Sequence, residues 1–196
     1  VGSQLFDNAP YLAALEVVLG LVREVRRRFG HTVAELNLGG GFGVTYTDEA
    51  RPPYAYFLDP LMARLEAFFQ DEGMTRPAVV IEPGRSIVAE AGLSLYTVGS
   101  IKDIRGVRKY VSVDGGMTDN IRPSLYGAVY RGLLANRAEE ASTDTATICG
   151  KCCESGDILI RDARIPPARP GDLLAVFSTG AYGFSMASNY NSSPIP

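Results

Sequence analysis

The chain has 196 residues, 46% hydrophobic and 21% charged, with a formal net charge of −3; this length suits one large domain or two small ones and can bury a sizeable core. The mild acidity offers no basic footprint for nucleic acid, and no apolar run reaches membrane-spanning length. An odd number of cysteines, the three at Cys149, Cys152 and Cys153, excludes a disulfide framework and suits a reducing compartment such as the cytoplasm. Only three of the 19 basic residues are lysines (Lys102, Lys109 and Lys151), and His31 is the one histidine, so a lysine nucleophile or a histidine base has few candidates.

In chain order, the first predicted element is an amphipathic helix. Tyr11, Leu15, Val18, Val22, Val25 and Phe29 recur at alternating helical steps, one face of a 3.6-residue period. Asp7 or Asn8 can cap its start, with Pro10 in the first turn. Arg26, Arg27 and Arg28 suit its negative end, and Gly30 can stop it. A short strand, Ala34 to Leu38, then runs into Gly39-Gly40-Gly41-Phe42-Gly43. Such a run is either an anion cradle, whose backbone N–H groups approach a ligand without Cβ interference, or a tight strand-to-loop turn. It is not Gly-x-Gly-x-x-Gly, and no Gly-Lys-Ser/Thr follows, so dinucleotide and P-loop readings do not fit.

A loop holding Pro52 and Pro53 leads to a second helix, expected to start at Asp59-Pro60, with Leu61, Leu65, Phe68 and Phe69 buried and Gly73 at its end. Ala78 to Ile81 is a strand, apolar throughout as in one buried on both faces. It ends in Glu82-Pro83-Gly84-Arg85. A carboxylate beside an arginine at a strand's carboxyl end can hold a protonated ring nitrogen and an acidic group of a bound molecule; it can equally be a structural pair in a turn. Helix, strand, helix, strand with glycine-rich turns predicts βα architecture and a parallel sheet.

From about Leu93 the pattern becomes β-rich: Leu93–Ile104, Lys109–Asp114, Thr145–Cys149 and Asp172–Phe177, with tight turns at Arg105-Gly106, Asp114-Gly115-Gly116 and Pro170-Gly171-Asp172 and a polar loop over Ala138–Ser142. A domain boundary is expected near Val98. The glycine turn at Asp114 feeds Arg122, which can fork onto a carboxylate or be a solvated arginine beyond a hairpin. The run from Cys149 to Asp157 reads as a zinc or redox pair without a second ligand pair, or as a polar loop presenting a thiol and two acids, Glu154 and Asp157, that suit a cationic amine. Thr179 to Met186 follows a strand and is expected to open a helix. Its N–H groups and the Tyr182 hydroxyl would suit a phosphate, unless Tyr182 is a buried, satisfied tyrosine.

Together and in this order, the Gly39–Gly43 run, Glu82-Pro83-Gly84-Arg85, Asn120-x-Arg122-Pro123-x-Leu125-Tyr126, Cys153-Glu154-Ser155-Gly156-Asp157 and Ser188-Asn189-Tyr190-Asn191 resemble the fold-type III decarboxylases that use pyridoxal 5′-phosphate (PLP). The resemblance runs along almost the whole chain. The last three motifs favour the branch acting on meso-2,6-diaminopimelate over the ornithine and arginine branches, which share the first two. The fold implied is α/β plus β: the last part of an alanine-racemase-like (β/α) barrel over residues 1–97, then a β-rich C-terminal domain over 98–196.

By motif, Gly39, Gly40, Gly41, Gly84 and Arg85 would cradle the PLP phosphate, Tyr182 would bond the same group, and Ser3 would lie near it. Glu82 would pair with the pyridine nitrogen. Arg85, Arg122 and Tyr126 would bind the substrate's carboxylate end, and Glu154 with Ser155 its distal ammonium group. Cys153 would protonate the carbanion. In this family Cys153 and Glu154 reach into the neighbouring subunit's site, which implies a homodimer with shared sites, an amino-acid substrate, and neither nucleic acid nor membrane as partner. The reaction implied is decarboxylation to L-lysine and CO2.

The family's Schiff-base lysine lies in an early barrel strand and its ring-stacking histidine directly before the position of Val1. Lys102, Lys109 and Lys151 match neither motif, and Ile195 stands where arginine is usual. The chain is therefore read as an internal piece of a longer enzyme, not expected to catalyse alone. Two other readings are a related decarboxylase of another amino acid, such as D-ornithine or carboxynorspermidine, and a non-catalytic homologue that keeps the fold and dimer surface. The presence of Glu82, Cys153, Glu154 and Tyr182 together favours catalysis.

Overall fold

A computed structural model describes residues 1–194; Ile195 lies outside the described residues. The chain divides into two compact units, Val1–Val44 with Ala50–Ile87, and Thr45–Glu49 with the chain from Val88 onward. No described helix is long and apolar enough to cross a membrane.

In the first unit, α1 (Ala9–Phe29) begins at Asn8, with Asp7 Oδ1 accepting the Ala9 N–H at 2.6 Å. It ends at Gly30, whose φ of +65° lets its N–H return to the Arg26 carbonyl. Tyr11, Leu15, Leu19 and Val22 form its buried face. Leu19 was not on the expected face, and Phe29, which was, is 76% exposed because the arginine-rich last turn is solvated.

Strand β1 (Glu35–Asn37) pairs in parallel with β2 (Ala78–Val80), and α2 (Tyr54–Asp71) forms the crossover. Helix α2 starts at Tyr54, not at Asp59. Phe57 is needed in the core, where it meets Tyr11 and Phe42 with ring centroids 5.5 and 5.4 Å away. Pro60 therefore lies inside the helix. It has no N–H for the Tyr56 carbonyl four residues back, and that carbonyl instead accepts Asn8 Nδ2 at 3.2 Å. Leu61, Leu65, Phe68 and Phe69 are buried as expected.

Strand β2 is not buried on both faces: Ala78 is exposed and Val79 and Val80 are half-buried, since the sheet has two strands among the described residues. After β2 comes a short helix, α3 (Gly84–Val88), where a turn was expected.

The second unit is a six-stranded mixed sheet. Its strands are β3 (Ser94–Ile104), β4 (Arg108–Val113), β5 (Gly132–Leu134), β6 (Asp144–Cys149), β7 (Ile158–Ile165) and β8 (Leu173–Val176), in the order β5-β8-β3-β4-β6-β7. Only β4 and β6 pair in parallel. Between them lie helix α4 (Arg122–Tyr126) and β5, so the Asp114 turn leads not to a returning hairpin strand but to a helix. The sheet curls until its end strands meet; a Cβ on Gly132 of β5 would lie 3.1 Å from Ile160 Cδ1 of β7.

Strand β3 serves two partners in succession, β8 over Ser94–Thr97 and β4 over Val98–Ile104, with a bulge between Val98 and Ile101. The Ser112 hydroxyl fills the interrupted ladder, accepting the Ser100 N–H at 2.9 Å and donating to the Ser100 carbonyl at 3.0 Å. Val98, Val111, Leu134, Ile148, Ile165 and Leu174 make the dry interior. The expected helix after Thr179 is a single 3-10 turn, Phe184–Met186. Glycines and left-handed residues in this stretch suit a series of turns better than a continuous helix.

Candidate functional site

In the first unit, the carboxyl ends of β1 and β2 bring two predicted motifs side by side. The Glu82 N–H donates to the Gly39 carbonyl at 2.8 Å, and Asn37 Nδ2 donates to Glu82 Oε1 at 2.6 Å. Glycine is required at this junction by contact: a Cβ on Gly40 would sit 1.9 Å from the Glu82 carbonyl oxygen, and one on Gly41 2.6 Å from the Val1 carbonyl oxygen. Gly39 has φ +73°, and its N–H is committed to Asn37 Oδ1 at 2.8 Å. Its contribution is therefore the turn, with no amide left to offer a ligand. Gly84 opens α3, and Arg85, next along, donates to Ser3 Oγ at 2.8 Å. Gly39–Gly41, Glu82, Gly84, Arg85 and Ser3 thus form one rim.

In the second unit, loops 114–121, 150–157 and 178–193 interlock. The Lys151 N–H reaches the Gly115 carbonyl, and the Ser188 N–H reaches the Thr118 carbonyl at 2.8 Å. Helix α4 adjoins the second of these loops, since a Cβ on Gly156 would come 2.7 Å from Ser124 Oγ. Arg122 on α4 is only 8% exposed. It donates to the Tyr130 hydroxyl and stacks over the Tyr46 and Tyr130 rings, 5.1 and 5.7 Å from their centroids. It is an aromatic-caged arginine and not a solvated one. Tyr126, one turn on, is exposed.

Tyr182 sits at φ +60° on a turn whose Gly180 lies against the Val88 backbone, where a Cβ would approach the carbonyl oxygen to 1.9 Å. The residue is 44% exposed, which removes the buried-tyrosine reading. A bulky residue in the left-handed region is costly and collects at working sites.

The cysteine loop separates its two acids. Asp157 is 2% exposed, with Oδ1 accepting the Met117 N–H and Oδ2 the Cys152 N–H, each at 2.7 Å. Gly116 and Gly150 lie flush against it, where a Cβ would come 2.5 and 2.3 Å from its oxygens. Asp157 therefore ties two loops together and is not offered to an amine, a correction to the expectation of two presented acids.

Glu154 is exposed. Its Oε1 accepts Ser155 Oγ at 3.1 Å and the Gly156 N–H at 3.2 Å, and its Oε2 accepts the Tyr190 hydroxyl at 3.1 Å. The Gly156 N–H, then the Tyr190 and Ser155 hydroxyls, hold its carboxyl below the usual range. All three thiols are free. Burial, with the Asp157 carboxylate second, pushes the Cys149 and Cys152 thiols up, while Cys153 is the exposed one. Among the described residues no three His, Cys, Asp or Glu side chains gather as a metal set.

Two groups escaped the sequence reading in their roles. In the sequence Tyr190 stands only as part of the Ser188–Asn191 motif, and its contact to Glu154 spans 36 positions. Tyr130, which holds Arg122, carried no local signal beyond being aromatic.

Residues 12–180 match the family model for the pyridoxal-dependent decarboxylase, C-terminal sheet domain. The chain is 50% identical over 197 residues to the diaminopimelate decarboxylase of Bacillus subtilis (strain 168), covering 100% of this chain and 45% of that protein. It is 47% identical to the diaminopimelate decarboxylase of Bacillus methanolicus, again over 100% of this chain and 46% of that protein. It is also similar to the crystal structure of diaminopimelate decarboxylase from M. jannaschii in co-complex with L-lysine, with a TM-score of 0.89 and 35% identity, covering 98% of this chain and 43% of that one. The chain spans about half the length of the curated relatives it matches. A family match across most of the chain, over an α/β unit followed by a mixed β-sheet, identifies the chain as a member of the pyridoxal-dependent decarboxylases with a C-terminal sheet domain.

Proposed function

We propose that this chain forms the C-terminal half of a PLP-dependent carboxy-lyase that converts meso-2,6-diaminopimelate to L-lysine and CO2. The observation that carries the reading is the rim at the ends of β1 and β2. There Gly40 and Gly41, with no room for a Cβ, meet Glu82, with Arg85 and Ser3 alongside. That rim fits the cofactor: close backbone for a phosphate, a carboxylate for a ring nitrogen, a guanidinium for an anion. Identity of 50% to the B. subtilis diaminopimelate decarboxylase supports the substrate.

In this reading residues 1–97 complete a PLP-binding barrel and residues 98–196 form the β domain. Gly40, Gly41 and Arg85 hold the phosphate with the Tyr182 hydroxyl, Gly39 and Gly84 shape the turns that bring them there, their own N–H groups being spent on Asn37 Oδ1 and the Glu82 carbonyl, and Glu82 keeps the ring nitrogen protonated. When bound, PLP supplies the electron sink for the pair left by the departing carboxylate. Arg85, Arg122 and Tyr126 orient the substrate's carboxylate end. Glu154, ionised and braced by three donors, with Ser155, takes the distal ammonium group. The exposed Cys153 Sγ–H delivers a proton to the α-carbon once CO2 has left. Cys153 and Glu154 serve the neighbouring subunit's site in a cytoplasmic homodimer.

The test is a full-length enzyme carrying this chain, loaded with PLP and offered meso-2,6-diaminopimelate, D-ornithine and carboxynorspermidine. Lysine formed from the first, with little turnover of the others, is the expected result; preference for another substrate would replace the assignment. Cys153→Ala should cut turnover by about 100-fold, as removal of a proton donor does, while PLP absorbance titrations stay near wild type. Equal loss of both would make Cys153 structural.

A further inference from the structure

Glu154 is exposed, and an exposed glutamate ordinarily samples many rotamers. Here its two oxygens have different surroundings. Oε1 accepts two donors, Ser155 Oγ at 3.1 Å and the Gly156 N–H at 3.2 Å. Oε2 accepts one, the Tyr190 hydroxyl at 3.1 Å. The Ser155 N–H also favours the carboxylate, and of these donors the Tyr190 hydroxyl comes from a distant segment and the others from residues directly after Glu154.

The Tyr190 ring is held there by its own backbone. Tyr190–Ser192 is a 3-10 turn in which Asn191 and Ser192 have φ +55° and +57°, left-handed values at two consecutive residues that are not glycine. The turn is closed by the Ser192 N–H to the Asn189 carbonyl at 2.9 Å and by Asn189 Nδ2 to the Ser193 carbonyl at 3.0 Å. It is anchored to loop 114–121 through the Ser188 N–H.

We propose that Tyr190 is a positioning residue for substrate specificity: its hydroxyl fixes the Glu154 carboxylate in the orientation that takes the distal ammonium group of the substrate. This rests on the reading of Glu154 given above. The Tyr190 phenol, in turn, is pushed up by the bond to the Glu154 carboxylate, which keeps it protonated and donating.

The experiment uses the assembled, PLP-loaded full-length enzyme and two ligands, L-lysine and 6-aminohexanoate: decarboxylation makes the reacting centre lysine's ε-carbon, so the distal ammonium is lysine's α-ammonium, the group 6-aminohexanoate lacks. Calorimetry gives Kd for each. Tyr190→Phe, which removes only the hydroxyl, should lower the preference for lysine over 6-aminohexanoate by roughly 5–20-fold and leave the 6-aminohexanoate Kd within about twofold. In turnover, KM for meso-2,6-diaminopimelate should rise by a similar factor with kcat little changed. In a Glu154→Gln background, Tyr190→Phe should add nothing further. An unchanged preference in Tyr190→Phe, beside a lost one in Glu154→Gln, overturns the role of Tyr190 and leaves the Glu154 reading standing. An unchanged preference in Glu154→Gln sinks the Glu154 reading and this inference with it. Parallel loss of both ligands would make Tyr190 merely structural and also overturns the proposal.

Discussion

Single residues in this chain are constrained by contacts as much as by their chemistry. Gly40 shows it best: its hydrogen stands where a Cβ would overlap the Glu82 carbonyl oxygen, a backbone atom that cannot swing away. Gly40→Ala must therefore push the Glu82 segment off the β1 end, and the expected outcome in the full-length enzyme is PLP binding weakened by at least about tenfold, read by absorbance titration. A variant that binds PLP normally would mean the rim is not the cofactor's. The Gly39–Gly43 and Glu82–Arg85 motifs were legible because each sits directly after a strand and each is contiguous. The Asp157 role was not. Its burial depends on Gly116, Met117 and Gly150 closing around it, and a sequence shows an acid in a polar loop without showing which face the loop turns inward.

At the level of elements, the turn before β8 is the clearest electrostatic joint. Asp172 is buried and accepts Asn136 Nδ2 at 3.0 Å, the Arg169 N–H at 2.8 Å and Arg137 NH1 at 3.0 Å. Burial alone would raise its carboxyl, but these donors outweigh it and hold the group below the usual range. A depressed folded value contributes stability fully above the unfolded value, about pH 4, and loses it as pH falls through the folded one. Asp172→Ala should therefore destabilise the protein by about 3 kcal/mol at neutral pH, and that gap should shrink in acid. Denaturant melts at pH 7 and pH 3 check it; a pH-independent gap would deny the electrostatic origin. Helix α1 and most strands were legible from period and caps. Helix α2 was misplaced at its start because Pro60 reads as a helix opener, and only the packing of Phe57 with Phe42 and Tyr11 makes it internal. Strand β7 was missed because Arg161 and Asp162, at a bulge with φ +51° at Asp162, break its alternation.

For the molecule as a whole, the proposal that sites are shared between subunits has a direct test. Glu82→Ala and Cys153→Ala should each be nearly inactive in the full-length enzyme. Mixed and reassociated, half the dimers would be hybrids with one intact site each, restoring roughly a quarter of wild-type activity by random pairing. No recovery would mean that both residues serve the same subunit. Legible in the residues alone were the alternation of two long helices with two strands in the first half, the Gly30 stop of α1, the glycine and acid motifs at strand ends and the short list of candidate side chains. These follow from neighbours a few positions apart and from periods of two and 3.6. Folding in three dimensions was needed to fix that β3 serves two partners, that α2 starts at Tyr54, that Arg122 lies caged between Tyr46 and Tyr130, that Asp157 is spent on tying loops and that Tyr190 faces Glu154. Each of those rests on groups far apart in the chain, whose burial and hydrogen bonds exist only once the loops between them have closed.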